Sequence, residues 1–299
     1  MSAEIGFIGI GNMGSRMVSS ILREGGAVVA YDRAPGLAAS IGAREAESAA
    51  QVAREADVIL LSLPDSKIIE AVMLGEDGLA SHLRPGTVVV DLSTAATAST
   101  QRIHAVLLEK GVELIDAGVS GGAAAAAKGT LTLMVGGSAA ALQQVTPVLD
   151  MIASKVFHMG ESGAGHTAKL LNNFLNAVNL SSSAEVLIAG KKAGLDAPQL
   201  LEVINSSSGM NWATQNRFPS IAQGDYLEGG LTSGLMMKDI LLYVDHLREI
   251  GVPSLHASGP ISAFGVALQT GRGGEISNRV VDALGDLAGG VRLHADPEE

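Results

Sequence analysis

The residues best placed to do chemistry lie on one stretch, Gly163–Gly194. There Lys169, Asn172, Asn173, Asn176, Asn179 and Ser183 recur at helical spacing on one side. The stretch contains no proline, and Gly194 suits a left-handed cap at its end. Read as a helix from about His166, its roughly 28 residues span about 42 Å. Leu170, Leu171, Phe174, Leu175, Val178 and Leu187 cover most of its circumference, so the helix is expected to be buried. A polar stripe on a buried helix needs partners, and a lysine within it needs a use for its charge. Two readings fit: a hydrogen-bonded seam between domains, or a catalytic face with Lys169 and Asn173 one turn apart in a cleft.

A second group stands at the N-terminus. Ile5–Gly9 reads as a short strand running into Gly9, Gly11 and Gly14, and a helical pattern follows (Met17, Val18, Ile21, Leu22). A second strand, Ala27–Tyr31, ends at Asp32. In a chain with 37 glycines the spacing alone is weak; the strand before, the helix after and the acid at the next strand's end give it context. Glycines let the backbone approach a pyrophosphate, and a helix N-terminus offers N–H groups and a partial positive charge.

Gly118-Val119-Ser120-Gly121-Gly122 fits two chemistries. As G-x-S-x-G it matches a serine hydrolase elbow, for which Asp239 or Asp245 with His256 could be nominated. As a loop, its backbone N–H groups could hold a carboxylate. The seven histidines show no metal-ligand spacing; His166, His246 and His256 suit structural or solvated roles. Trp212, the one tryptophan, is either core or the wall of a pocket, and Lys238-Asp239 either a surface pair or a cleft-facing one.

The elements around these residues alternate. Strands are expected at Asp57–Leu63, Thr87–Asp91, Val112–Asp116, Leu131–Val135 and Lys155–Met159, with helices over Thr97–Glu109 and Ala139–Met151 and a helical turn at Ala123–Ala127. This predicts a mostly parallel, doubly wound sheet whose ligand edge gathers Gly9, Leu63-Pro64, Ser93-Thr94 and Gly118–Gly122. After Gly160 only helical patterns remain: the long stretch, Pro198–Ile204, Leu235–Ile250, Pro260–Thr270 and Ile276–Leu287. The expected division is 1–162 and 163–299, with a loose acidic tail (Asp296, Glu298, Glu299). A net charge of -11 argues against nucleic acid or an anionic membrane as partner. The absence of cysteine removes disulfides, thiolate zinc sites and a cysteine nucleophile. No apolar run reaches about 18 residues, and no leader pattern is visible, so a cytoplasmic protein is expected.

Taken together, G-F-I-G-I-G-N-M-G (Gly6–Gly14), S-L-P-D (Ser62–Asp65), D-L-S-T (Asp91–Thr94), D-A-G-V-S-G-G (Asp116–Gly122), G-T-L-T-L-M-V-G-G (Gly129–Gly137), G-A-G-H-T-A-K-L-L-N-N (Gly163–Asn173) and M-K-D (Met237–Asp239) resemble the β-hydroxyacid dehydrogenase family. That family includes 3-hydroxyisobutyrate dehydrogenases and tartronate semialdehyde reductases. The resemblance implies an α/β Rossmann domain followed by an all-helical domain built on a long central interdomain helix, and an NAD(P)-dependent alcohol oxidation. It makes Lys169 the general acid/base and has Ser120, Gly121, Gly122 and Asn173 hold the substrate, with Lys238 lining the site. The cofactor then lies over Gly9, Gly11, Asn12, Met13 and Gly14, its ribose on Asp32 and its nicotinamide end near Leu63, Pro64 and Thr94, while Trp212 and Met210 close the pocket. The implied substrate is 3-hydroxyisobutyrate-like, with tartronate semialdehyde reduction as the alternative. NAD is expected over NADP, no metal is expected, and a homodimer or homotetramer follows by analogy. Gly118 departs from the proline common in the family's loop, and Thr97 stands where another proline is frequent.

Overall fold

The computed structural model describes residues 4–294; the acidic tail lies outside them. Two compact units divide within a helix, Met1–Lys169 and Leu170–Glu299.

The first unit holds an eight-stranded sheet: β1 (Ile5–Ile8), β2 (Val28–Tyr31), β3 (Arg44–Glu45), β4 (Val58–Leu61), β5 (Val88–Asp91), β6 (Glu113–Ser120), β7 (Leu131–Gly136) and β8 (Ala153–Gly160). Their order is β3-β2-β1-β4-β5-β6-β7-β8. The strands from β1 to β6 pair in parallel, β7 runs antiparallel to β6, and β8 lies parallel to β7. The order reverses between β1 and β4, the kind of switch point at which such sheets take a ligand.

Alternation along the strands builds two cores. Ile5, Phe7, Val58, Leu60, Val88 and Val90 face one layer with Met17, Val18 and Ile21 of the first helix (Asn12–Arg23). Ile8, Val29, Ile59, Leu61 and Val89 face the other with Ile69, Met73 and Ile103. A strand buried on both faces needs apolar residues at every position, which explains the Val58–Leu61 run V-I-L-L.

Three features differ from the sequence expectation. β6 does not stop at Asp116 but continues to Ser120, so Gly118 is a strand residue rather than a loop residue. The central helix (Ala164–Lys192, 29 residues) is not buried all round: Leu171, Leu175 and Val186 are exposed, while Leu170, Ala177, Leu180, Ala184 and Leu187 are buried. β3 and several short helices (Leu37–Ser40, Ala49–Glu55, Ser66–Leu74, Trp212–Asn216, Phe218–Ile221) carry too few residues for a clear periodic signal.

The first turn of the central helix rests directly on β6 and β7. Asp116, fully buried, accepts Gly163 N–H on Oδ1 (2.7 Å) and His166 N–H on Oδ2 (2.8 Å). His166 is buried too, with Nδ1 2.8 Å from Thr100 Oγ1 and Nε2 3.3 Å from the Asp91 carbonyl. A Cβ on Gly165 would stand 2.4 Å from both the Asp116 and the Met134 carbonyl oxygens, so only glycine allows this approach. At the other end Gly194 closes the helix with a φ of 87°.

The second unit is helical and packs Phe174, Ala177, Leu180 and Leu187 of the central helix against Phe218, Ile221, Met236, Ile240 and Phe264. No helix among the described residues is long and apolar enough to cross a membrane.

Asp116→Ala should lower stability by at least about 2 kcal/mol, because two buried helix N–H groups lose their acceptor. At the usual scaling for a unit of this size that is a fall in Tm of roughly 4–8 °C. Calorimetry that finds Tm unchanged would remove the cap from this account.

Candidate active site

The three glycines at the end of β1 do three different jobs. Gly9 has φ 94°, and a Cβ there would lie 2.2 Å from the Ser62 carbonyl oxygen at the end of β4. Gly14 has no such φ, but its Cβ would lie 1.9 Å from the Gly9 carbonyl oxygen, so it permits close packing of helix on turn. A Cβ on Gly11 would meet nothing within 4 Å. Protein packing therefore does not require glycine at 11, whereas a ligand lying against that backbone would.

Asn12 and Met13 open the first helix directly after Gly11, which brings no capping side chain. Asp32 reaches back to this turn: its Oδ2 accepts Ile10 N–H (2.7 Å) and its Oδ1 accepts Ala34 N–H (2.9 Å). Beyond it a surface cavity of about 440 Å³ is lined by Tyr31, Asp32, Arg33, Pro35, Glu45, Ala46 and Glu47. Glu45 also accepts Gly36 N–H at 2.6 Å, which fixes the turn carrying Arg33.

The neighbouring strand ends are tied together. Leu63 N–H donates to Ser93 Oγ (2.9 Å) and Ser93 N–H to Asp91 Oδ1 (3.0 Å), which places Leu63-Pro64 and Thr94 after consecutive strands. At the end of β6, Gly121 (φ 118°) and Gly122 (φ 66°) turn the chain into the helix Gly122–Lys128. A Cβ on Gly118 would lie 2.4 Å from Lys169 Cβ, so the helix bears on β6 at this point. Residues two apart on a strand share a face, so the Ser120 side chain leaves β6 on the face that meets Lys169.

In the helical unit, Asn173 Nδ2 donates to Asp239 Oδ2 at 2.5 Å, and Lys238 Nζ stands 3.2 Å from Asp239 Oδ1. Asp239 is buried, and Phe174 stacks on Tyr243 with centroids 3.8 Å apart. Trp212 begins a short helix capped by Asn211, whose Nδ2 donates to Ser183 Oγ at 3.0 Å. The Trp212 ring is exposed, as is Met210, and the Arg217 guanidinium lies 5.1 Å from the Trp212 centroid. Burial pushes the Arg217 guanidinium down to about 10.

Residues 4–160 match the family model described as the NAD binding domain of 6-phosphogluconate dehydrogenase. Residues 163–283 match the one described as NAD-binding of NADP-dependent 3-hydroxyisobutyrate dehydrogenase. The 2-(hydroxymethyl)glutarate dehydrogenase of Eubacterium barkeri is 36% identical over 291 residues, covering 96% of this chain and 97% of its own. The NAD-dependent L-serine dehydrogenase of Pseudomonas aeruginosa is 39% identical over 279 residues, 90% of this chain and 93% of its own. The solved structure of Mycobacterium tuberculosis 3-hydroxyisobutyrate dehydrogenase with L-serine superimposes with a TM-score of 0.84 at 30% identity, over 95% of this chain and 99% of that one. The chain belongs to the β-hydroxyacid dehydrogenase family.

The family is one of NAD(P)-dependent hydroxyacid dehydrogenases, and the residues present fit such a cofactor: an open backbone at Gly11, a tight turn at Gly9 and an anchored Asp32. The hydrolase reading of Ser120 finds no support, since among the described residues no histidine lies within hydrogen-bond reach of its hydroxyl to act as base. Sequence reasoning missed Asp116 as the anchor of the lysine's helix, Asp239 as the partner of Asn173, and Glu45 and Glu47 beside Asp32. The first two lie inside quoted motifs, but their partners are 47 and 66 residues away in the chain. Among the described residues no group of three acidic, histidine or cysteine side chains could hold a metal ion.

Gly11→Ala should fold with wild-type Tm, yet weaken NADH binding at least about ten-fold, which is a loss of about 1.4 kcal/mol. Fluorescence titration giving an unchanged NADH Kd would free this turn from any cofactor role.

Proposed function

We propose that the protein oxidises a small 3-hydroxy carboxylate to the corresponding semialdehyde, with NAD as partner and Lys169 as the acid/base. The observation that carries this reading is the placement of Lys169, pressed against β6 at Gly118 on the face that Ser120 shares. Gly9, Gly11, Asn12, Met13 and Gly14 would hold the pyrophosphate and Asp32 the adenosine ribose, with Leu63, Pro64, Thr94 and Lys238 toward the nicotinamide. When held there, NAD would supply the hydride acceptor for the oxidation, and NADH the donor for the reverse reaction.

The protein's own part is proton transfer and orientation. Lys169, as the free amine, takes the hydroxyl proton when the alcohol is oxidised and, as the ammonium, returns it to the carbonyl oxygen on reduction. Ser120 and the backbone N–H groups of Gly121 and Gly122 bind the substrate carboxylate. The Asn173 amide, held by Asp239, presents a fixed hydrogen-bonding edge, and Trp212 with Met210 gives the pocket an apolar wall. Because the free amine is the base, oxidation rises with pH and reduction falls.

NAD is favoured over NADP in this reading because three carboxylates, Asp32, Glu45 and Glu47, line the ribose cavity against one cation, Arg33. A 2′-phosphate would add two negative charges there. The exposed Leu171, Leu175 and Val186 on one side of the central helix support a homodimer or homotetramer, with that face covered by another copy. An enzyme exchanging hydride with a diffusible dinucleotide works where that dinucleotide is, and we assign it to the cytoplasm.

Following absorbance at 340 nm with NAD and a panel of 3-hydroxy acids tests the whole reading; no turnover with any of them would end it. Lys169→Ala should lower kcat by roughly 10²–10⁴-fold, the scale of a positioned acid/base, with NADH affinity nearly unchanged. A folded variant with near wild-type kcat would leave Lys169 a merely structural residue. The Kd for NADPH should exceed that for NADH by at least about ten-fold, and equal values would remove the acidic cavity from cofactor choice.

A further inference from the structure

The first helix (Asn12–Arg23) starts with positive charge and no acid of its own to meet it. Gly11 supplies no capping side chain, and no acidic residue stands in the first turn. The first bond of the helix runs from Ser15 N–H to the Gly11 carbonyl at 2.9 Å, so the N–H groups of Met13 and Gly14 point past the helix end. They carry the partial positive charge of the helix dipole. Asp32, the acid that reaches this turn, spends its oxygens on Ile10 N–H and Ala34 N–H.

The sequence adds a cation at this same end. Helical side chains lean toward the N-terminus, and Arg16 lies one turn after Asn12. Its Nη1 donates to the Asn12 carbonyl at 2.5 Å and also to Asn12 Oδ1. The guanidinium is therefore folded back over the first turn, next to Gly11. Arg23, Arg44, Arg84 and Arg102 of the same unit each meet a carboxylate. Arg16 does not: among the described residues no carboxylate lies within 4.0 Å of it, and both of its bonds run from one nitrogen to one neutral residue. The guanidinium fork carries five N–H donors, most of which these bonds leave over. A cation at the N-terminal end of a helix works against the dipole, where an anion would be favoured. Arg16 is partly exposed and Asn12 exposed, so packing does not demand the arginine either. An anion on this turn would reverse the sign, because the helix N–H groups and the guanidinium would then bind it together.

We propose that Arg16 is a pyrophosphate ligand of the dinucleotide: its guanidinium leaves the Asn12 oxygens and pairs with a pyrophosphate oxygen when the cofactor binds. The assignment rests on the cofactor placement at Gly9–Gly14 given under the proposed function. It gives the first unit two separate readers, Arg16 for the pyrophosphate that NAD and NADP share and the acidic cavity for the ribose 2′ position.

The test uses the full chain as wild type, Arg16→Gln, Arg16→Met, Arg16→Lys and Gly11→Ala. Kd is measured for NADH and NADPH by fluorescence and for ADP-ribose, which lacks the nicotinamide, by calorimetry; Tm is measured without ligand. In Arg16→Gln and Arg16→Met the Kd for NADH and for ADP-ribose should rise on the order of ten-fold, the scale of one charge-assisted hydrogen bond. The ratio of the NADPH and NADH values should stay as in wild type, and the ligand-free Tm should be unchanged or higher. Arg16→Lys, which keeps the charge but not the fork, should recover part of the affinity. Unchanged Kd values in Arg16→Gln and Arg16→Met, with Gly11→Ala weakened, overturn the proposal and leave the cofactor placement standing. A lower Tm with Kd unchanged makes Arg16 a clip on the first turn, and failure of both neutral variants to fold makes it a structural residue; each overturns it. So does a loss confined to NADPH, which would move Arg16 to the 2′-phosphate, or one that spares ADP-ribose, which would move it to the nicotinamide end. If wild type binds none of the three ligands, or Gly11→Ala and the Arg16 variants all bind as wild type does, the cofactor placement fails and the proposal with it.

Discussion

The buried Asp116 carboxylate at the head of the central helix is the constraint on which the lysine's position depends. A charge with no exposure needs full hydrogen bonding, and Asp116 obtains it from Gly163 N–H and His166 N–H, groups that a helix N-terminus leaves unpaired. The helix dipole favours the same carboxylate, so anion and helix end stabilise each other. Asp116 sits in mid-β6, so the helix it caps is registered to the sheet by two bonds and not by a mobile loop. Gly165 and Gly118 then let helix and strand touch backbone to backbone and backbone to Lys169 Cβ. A β-carbon at either glycine would lift the helix, and Lys169 is one turn beyond the first of them.

His166 extends the same constraint sideways. Its ring spans Thr100 and the Asp91 carbonyl, linking the helix to the end of β5, and Thr97 Oγ1 meets Thr167 Oγ1 at 2.8 Å. Thr97 stands where the family often has proline, and here its hydroxyl holds the central helix instead. Gly118, at the other departure, is a β6 residue whose missing side chain admits Lys169. Both departures therefore alter how the lysine's helix is held on the sheet.

Much of the fold was legible in the sequence because its strongest signals are local. The strand–turn–helix at Gly9–Gly14, the apolar runs of β1, β4 and β5, and the long proline-free helix each declare themselves within one window. What stayed hidden depends on distant residues or on length. β6 runs past Asp116 through Gly118, a residue type that weakens a strand taken alone, and only Lys169, 51 positions on by number, explains why a strand contains glycine there. The central helix was expected to be buried because its apolar residues ring it, yet Leu171, Leu175 and Val186 remain exposed in the single chain. The residue types of the site were readable, but the hydrogen bonds that orient them were not: Asn173 was visible as a polar position, and Asp239 as its partner was not.

Lys169 and Asn173 are four residues apart on one unbroken helix, but they are held by different means. Lys169 is the last residue of the first unit, fixed through Asp116, Gly118 and His166; Asn173 belongs to the second, fixed through the buried Asp239. A continuous helix keeps its i and i+4 side chains neighbours whatever else moves. The pair that would hand over the proton and hold the substrate thus keeps its spacing by backbone geometry, without relying on packing between the units.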